Sequence, residues 1–139
     1  MRVLDPALRQ QLGGAEDLQM PVQQWAQVLK VRPRRLLIVE NLATGLAVPD
    51  MEDAIVAMAL GNNVTALRRI GWAREADCLY WGDIDTWGMH ILSRARGVLP
   101  DIRSVLMTET LLESHRHLWT QEASQGMGPA NHLTPVEAK

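Results

Sequence analysis

Three stretches of the chain are apolar almost without a break: Leu36-Leu37-Ile38-Val39, Ala54-Ile55-Val56-Ala57-Met58-Ala59-Leu60 and Cys78-Leu79-Tyr80-Trp81. Each is too short for a typical helix and stops at an acid or a glycine, so each predicts a strand buried on both faces. The middle run is ambiguous by periodicity alone; its length and the stop at Gly61 favour a strand. Ile102 to Met107 predicts a fourth. Between these runs the period lengthens to that of a helix. Val22, Trp25, Ala26 and Leu29 form an i, i+3, i+4, i+7 stripe over 21–30, with Pro21 in its first turn. Asn62-Asn63 cap a predicted helix over 64–72, with Leu67 and Ile70 inward and Arg68 and Arg69 outward. Asp85 or Thr86 caps another over 87–96, and Gly97 stops it. A last helix over 110–121 carries Leu111, Leu112, His115, Leu118 and Trp119 on or near one face.

The remaining segments read as connections. Residues 1–20, with Pro6 and Gly13-Gly14, show no sustained period and predict a weakly ordered lead or the remnant of a preceding domain. Residues 41–53 and 124–129 predict loops. Thr134, Pro135 and Glu137 spell a helix start that the chain end at Lys139 cuts short. Strands alternating with helices call for an α/β domain over 21–123, with about four mainly parallel strands flanked by helices.

Composition narrows the class. The 139 residues are 47% hydrophobic, ordinary for one globular domain. No apolar run approaches the roughly 20 residues of a membrane span, and the N-terminus lacks the apolar core of a secretion signal. Cys78 is the only cysteine, which excludes an internal disulfide and fits a cytoplasmic protein. A net charge of −2 argues against an autonomous tight DNA binder, though not against DNA as a substrate.

Candidate chemistry sits at the strand ends. The first strand closes on Glu40, and the Cys78 strand runs through Gly82 into Asp83-Ile84-Asp85. In an open parallel sheet the carboxyl ends of the strands line the ligand crevice. If these two strands are neighbours, Glu40, Asp83 and Asp85 converge. If the extended backbone continues, Asp83 and Asp85 also point to the same side. Three acids without a cation form a costly cluster, which a divalent metal would relieve. The expected ion is Mg²⁺ or Mn²⁺, serving phosphoryl chemistry. Gly82 leaves room for a phosphate, and Asn41 is expected to help orient Glu40.

The segments Leu37-Ile38-Val39-Glu40-Asn41, Tyr80-Trp81-Gly82-Asp83-Ile84-Asp85-Thr86-Trp87-Gly88 and Ser104-Val105-Leu106-Met107, with the later Leu118-Trp119, resemble a Toprim domain. The likeness is closer to one branch, the C-terminal domain of JetD, nuclease subunit of the Wadjet plasmid-defence system. It covers about residues 21 to 139. The resemblance implies an endonuclease acting on double-stranded plasmid DNA, licensed by an SMC-like (condensin-type) complex. It assigns catalysis and metal binding to Glu40, Asp83 and Asp85. Relatives carry an aspartate after the Leu-Met pair. Here Thr108 and Glu109 follow, and Glu109 is the candidate substitute ligand. A second copy of the chain is a further candidate partner; a membrane is not.

Two other readings compete: a catalytically silent scaffold for partner subunits, and a phosphotransferase or phosphatase with Asp83 as nucleophile. An aspartate before a helix is also a routine cap, so the case for Asp85 rests on its company. His90, His115 and His117 lack zinc-ligand spacing. Cys78 reads as a small core residue, and Tyr80 and Trp81 as sheet packing.

Overall fold

The structure, a computed structural model, describes residues 1–138. Lys139, the last residue of the expected helix start, lies outside the described residues. The elements are β1 (Arg2–Val3), α1 (Pro6–Arg9), α2 (Val22–Trp25), β2 (Arg35–Val39), α3 (Leu42–Ala47), β3 (Ala54–Met58), β4 (Asp77–Trp81), α4 (Thr86–Arg96), β5 (Arg103–Ser104) and α5 (Glu109–Ser114). The strands form one sheet in the order β1-β3-β2-β4-β5. All neighbours are parallel except β1, which pairs antiparallel with β3. The protein is thus α/β, with a mixed and mainly parallel sheet flanked by helices.

Strict alternation along the strands builds two cores. Leu36, Ile38, Cys78 and Tyr80 face the layer holding Leu67, Ile91 and Leu92. Val39, Val56 and Met58 face the opposite layer with Leu4 and Val48. Coverage on both faces explains why the strands read as unbroken apolar runs. The chain leaves β2 through α3 to reach β3 on one side, then returns to β4 on the other. Gly45 of α3 lies against Val39 and Met58, whereas Ile91 and Leu92 of α4 lie in the other core. The two helices therefore part above the carboxyl ends of β2 and β4, the switch point where α/β sheets open a crevice.

Several expectations change. Residues 1–20 are not a weakly ordered lead: Val3 and Leu4 are fully buried, and β1 extends the sheet. Asp5 caps α1 through Ala7 N–H and also accepts the N–H of Asp53. The expected loop over 41–53 contains α3. Gly45 hides that helix in the sequence, yet contact requires it, because a Cβ there would lie 2.7 Å from Met58 Cβ. The helix over 21–30 shortens to α2, although Trp25 and Leu29 are still buried. The helix over 64–72 becomes two 3-10 segments, Gly61–Arg69 and Gly71–Arg74. Its predicted faces hold, with Leu67 and Ile70 buried and Arg68 and Arg69 exposed. The fourth strand shrinks to β5 because Leu106 turns off the sheet at φ 58°. The last helix ends at Ser114, followed by a 3-10 turn, Arg116–Leu118. Among the described residues no helix is long and apolar enough to cross a membrane.

Candidate functional site

Register brings the acids together. Val39 pairs with Trp81, so Glu40 and Gly82 are next in line on adjacent parallel strands. The Glu40 N–H donates to the Trp81 carbonyl at 3.3 Å, prolonging the ladder by one bond. The Glu40 side chain falls on the face of Ile38 and Tyr80, beneath the start of α4. There its Oε2 accepts the backbone N–H of Asp83 at 2.8 Å. This bond, rather than a continued strand, gathers the site. The strand ends at Trp81 and the chain bends at Ile84 and Asp85, so the expected two-residue alternation does not set the direction of the aspartates.

Asp85 is the cap of α4: its Oδ1 accepts the N–H of Gly88 at 2.7 Å. Asp83 is exposed, and its carboxylate has no hydrogen bond or ion pair among the described residues. Burial pushes the Glu40 carboxyl above its ordinary range. The negative charges of Asp83 and Asp85 push the same way, against the Asp83 N–H bond. No cation of the protein answers them among the described residues. Asn41 accepts the N–H groups of Ala43 at 2.8 Å and Thr44 at 3.3 Å; it caps α3 and so fixes the backbone that follows Glu40. Glu109 stands exposed in the first turn of α5. There it complements the helix dipole, and no bond ties it to the three acids.

Two glycines make the close approach feasible. A Cβ on Gly82 would lie 2.3 Å from Glu40 Oε2 and 2.8 Å from the Tyr80 hydroxyl oxygen. A Cβ on Gly88 would lie 2.1 Å from the Asp83 carbonyl oxygen and 3.0 Å from Glu40 Oε2. Met107 fills the space behind, its sulfur accepting the Gly82 N–H at 3.4 Å. Gly82→Ala is therefore expected to force the Glu40 carboxylate off the Asp83 N–H. Losing a hydrogen bond to a charged group costs about 2 kcal/mol, measurable by urea unfolding against the parent protein. A change below about 0.5 kcal/mol would contradict this geometry.

Sequence reasoning treats Tyr80 only as packing. It is fully buried, and its hydroxyl donates to the Gly88 carbonyl at 3.3 Å. Burial pushes its phenol pKa up, and the Glu40 charge adds to this, so the hydroxyl stays protonated and keeps its bond to the Gly88 carbonyl. Gly88 also escapes a sequence reading. Its signal is a glycine inside a helix, which costs about 1 kcal/mol relative to alanine unless contact demands it.

The aspartates open into a cleft of about 1440 Å³ between α4 and the segment after α5, lined by Asp83, Asp85, His90, Leu112, Trp119 and Glu122 among others.

A family model described as Wadjet protein JetD, C-terminal, matches residues 1–139. The chain belongs to that family. No curated protein matches it.

Proposed function

We propose that this member of the JetD C-terminal family is the catalytic domain of a Toprim-type, metal-dependent nuclease that cleaves double-stranded plasmid DNA within an SMC-like defence complex. The observation that carries the reading is the Glu40–Asp83 bond at the topological switch. It sets the Glu40 carboxylate against the turn that carries Asp83 and Asp85, which supports a site at the carboxyl ends of β2 and β4. Membership of a Wadjet family supports a role as a subunit of that defence system. The net charge of −2 is consistent with DNA being held largely by other parts of the assembly.

The donors fit a hard dication, since all are carboxylate oxygens. Among the described residues no three His, Cys, Asp or Glu side chains already form a metal cage. Magnesium demands less, because one or two carboxylates suffice and water fills the remaining positions. Asp83, whose carboxylate is exposed and unbonded among the described residues, would hold it with one neighbouring carboxylate, Glu40 or Asp85, and water would complete the shell. When bound, such an ion polarises a scissile phosphate and lowers the pKa of its water. The chain's own contribution is positional. The Asp83 N–H fixes Glu40, the Gly88 N–H fixes Asp85, and the Tyr80 hydroxyl, donating to the Gly88 carbonyl, braces the turn behind them. Gly82 makes room for the Glu40 carboxylate itself rather than for a phosphate, since a Cβ there would lie 2.3 Å from Glu40 Oε2.

The test is conversion of supercoiled plasmid to nicked and linear forms with Mg²⁺ or Mn²⁺, in the presence of the partner subunits. Cleavage is expected to stop on adding a chelator and to return with the metal. Cleavage that survives chelation would reject the metal-dependent reading. Intact plasmid under every condition would favour the silent scaffold.

A further inference from the structure

The segment after Trp119 makes no backbone–backbone hydrogen bond over 120–128 among the described residues. Its order comes from bonds to the first turn of α4. Glu122 Oε1 accepts the Thr86 N–H at 2.8 Å, and the Thr86 hydroxyl lies 3.0 Å from both Glu122 oxygens. The Gly126 N–H donates to Thr86 Oγ1 at 2.6 Å, and the Trp87 indole N–H donates to the Ser124 carbonyl at 2.9 Å. His90 Nε2 lies 3.1 Å from the Gly126 carbonyl. Gly126 seats closely, for a Cβ there would lie 2.6 Å from His90 Cδ2.

The residue so gripped directly follows Asp85. The first N–H groups of a helix have no partner within it. Asp85 takes the one at Gly88, and Glu122 takes the one at Thr86. Two carboxylates, 37 residues apart in the chain, thus brace one helical turn, and the dipole of the 11-residue α4 favours both. Asp85 Oδ1 caps this turn through the Gly88 N–H, so whatever holds the turn also holds the backbone that carries Asp85. The segment carrying Glu122 also forms a wall of the cleft beside Asp83 and Asp85.

We infer that Glu122 is a positioning residue of the acidic site: through Thr86 it locks the Asp85 turn, and with 120–126 it closes one side of the cleft. This rests on the metal-site reading above. Glu122 acts as an acceptor, so Glu122→Gln retains the bonds to Thr86 and Glu122→Ala removes them.

The experiment titrates Mn²⁺ into the protein by calorimetry and follows amide exchange at Thr86 and Gly126. Glu122→Ala is expected to weaken Mn²⁺ binding by about tenfold, the usual effect of losing a group that orients a ligand. It should also speed exchange at Gly126 at least tenfold. Glu122→Gln should stay within about twofold of the parent in both. Three outcomes overturn the inference alone: unchanged binding in Glu122→Ala while Asp83→Ala abolishes it, unchanged exchange, or an equal loss in Glu122→Gln, which would make Glu122 a ligand. Failure of the parent protein itself to bind Mn²⁺ would remove the metal-site reading and this inference together.

Discussion

Asp83→Ala is expected to slow metal-dependent plasmid cleavage by about a thousandfold while leaving the fold intact. The two halves of this result have separate causes. Asp83 contributes its backbone N–H to Glu40, and alanine keeps that N–H. Its carboxylate is exposed and bonds to nothing among the described residues, so removing it costs the native state little; exposed substitutions of this kind usually stay within about 0.5 kcal/mol. Under the proposed chemistry the same carboxylate is the principal free donor for the ion. A thousandfold loss corresponds to about 4 kcal/mol of transition-state stabilisation. The measurement is the initial nicking rate together with the urea midpoint of the same preparation. Cleavage within a few-fold of the parent would remove Asp83 from the site, and a large fall in the midpoint would make its role structural. If Asp83 were instead a phosphorylated nucleophile, a covalent aspartyl-phosphate would appear by mass spectrometry in the parent protein and vanish in the variant.

The largest effect on stability is expected far from the acids, at Glu137. The reciprocal cap read from Thr134 and Glu137 forms as one turn: Thr134 N–H donates to Glu137 Oε2 at 2.8 Å, and Glu137 N–H donates to Thr134 Oγ1 at 3.4 Å. The carboxylate also receives Arg96, at 2.5 and 2.9 Å, and the Ser104 hydroxyl at 2.5 Å. Arg96 in turn donates to the carbonyls of Ile102 and His132. The pair is buried, its side chains 9% and 6% exposed, so Glu137→Ala would strand a guanidinium out of water. Breaking one partner of such a pair costs about 3–5 kcal/mol, readable as a drop in the urea midpoint. A loss below about 1 kcal/mol would show that the terminal turn does not hold α4 and β5 together.

The same group sets an acid limit. Burial alone pushes the Glu137 carboxyl up, but the bonds from Arg96, Ser104 and Thr134 outweigh it and hold it at about 2, against an ordinary 4.5. A depressed folded pKa contributes stability that is complete above about pH 4.5 and fades as pH falls toward 2. That contribution is worth about 3 kcal/mol, of which about 2 are lost by pH 3. Asp5 is also depressed, chiefly by the Asp53 N–H, so acid weakens the parent by more than one route. The comparison with Glu137→Gln isolates this one: its stability difference from the parent should shrink by about 2 kcal/mol between pH 7 and pH 3. An unchanged difference would contradict the assignment.

The sequence by itself determined the layers and the placing of the acids along the chain. Short unbroken apolar runs specify buried strands because each strand's side chains alternate between two covered faces, and Glu40 and Asp83 follow two such runs. The family was legible in the same segments. What only the tertiary structure decided were events between distant residues. The order β3-β2-β4 makes Glu40 and Asp83 neighbours, and no local pattern encodes which strands pair. Helix α3 was hidden because the contact of Gly45 with Met58 outweighs helix propensity. Residues 1–20 looked weakly ordered because their burial depends on β3, some 50 residues away. Glu122 had no local signal at all, since its partner is the first turn of a helix 36 residues earlier. Periodicity reports the local environment of each segment, whereas a site assembled across strands and caps depends on pairwise geometry that exists only after the sheet has formed.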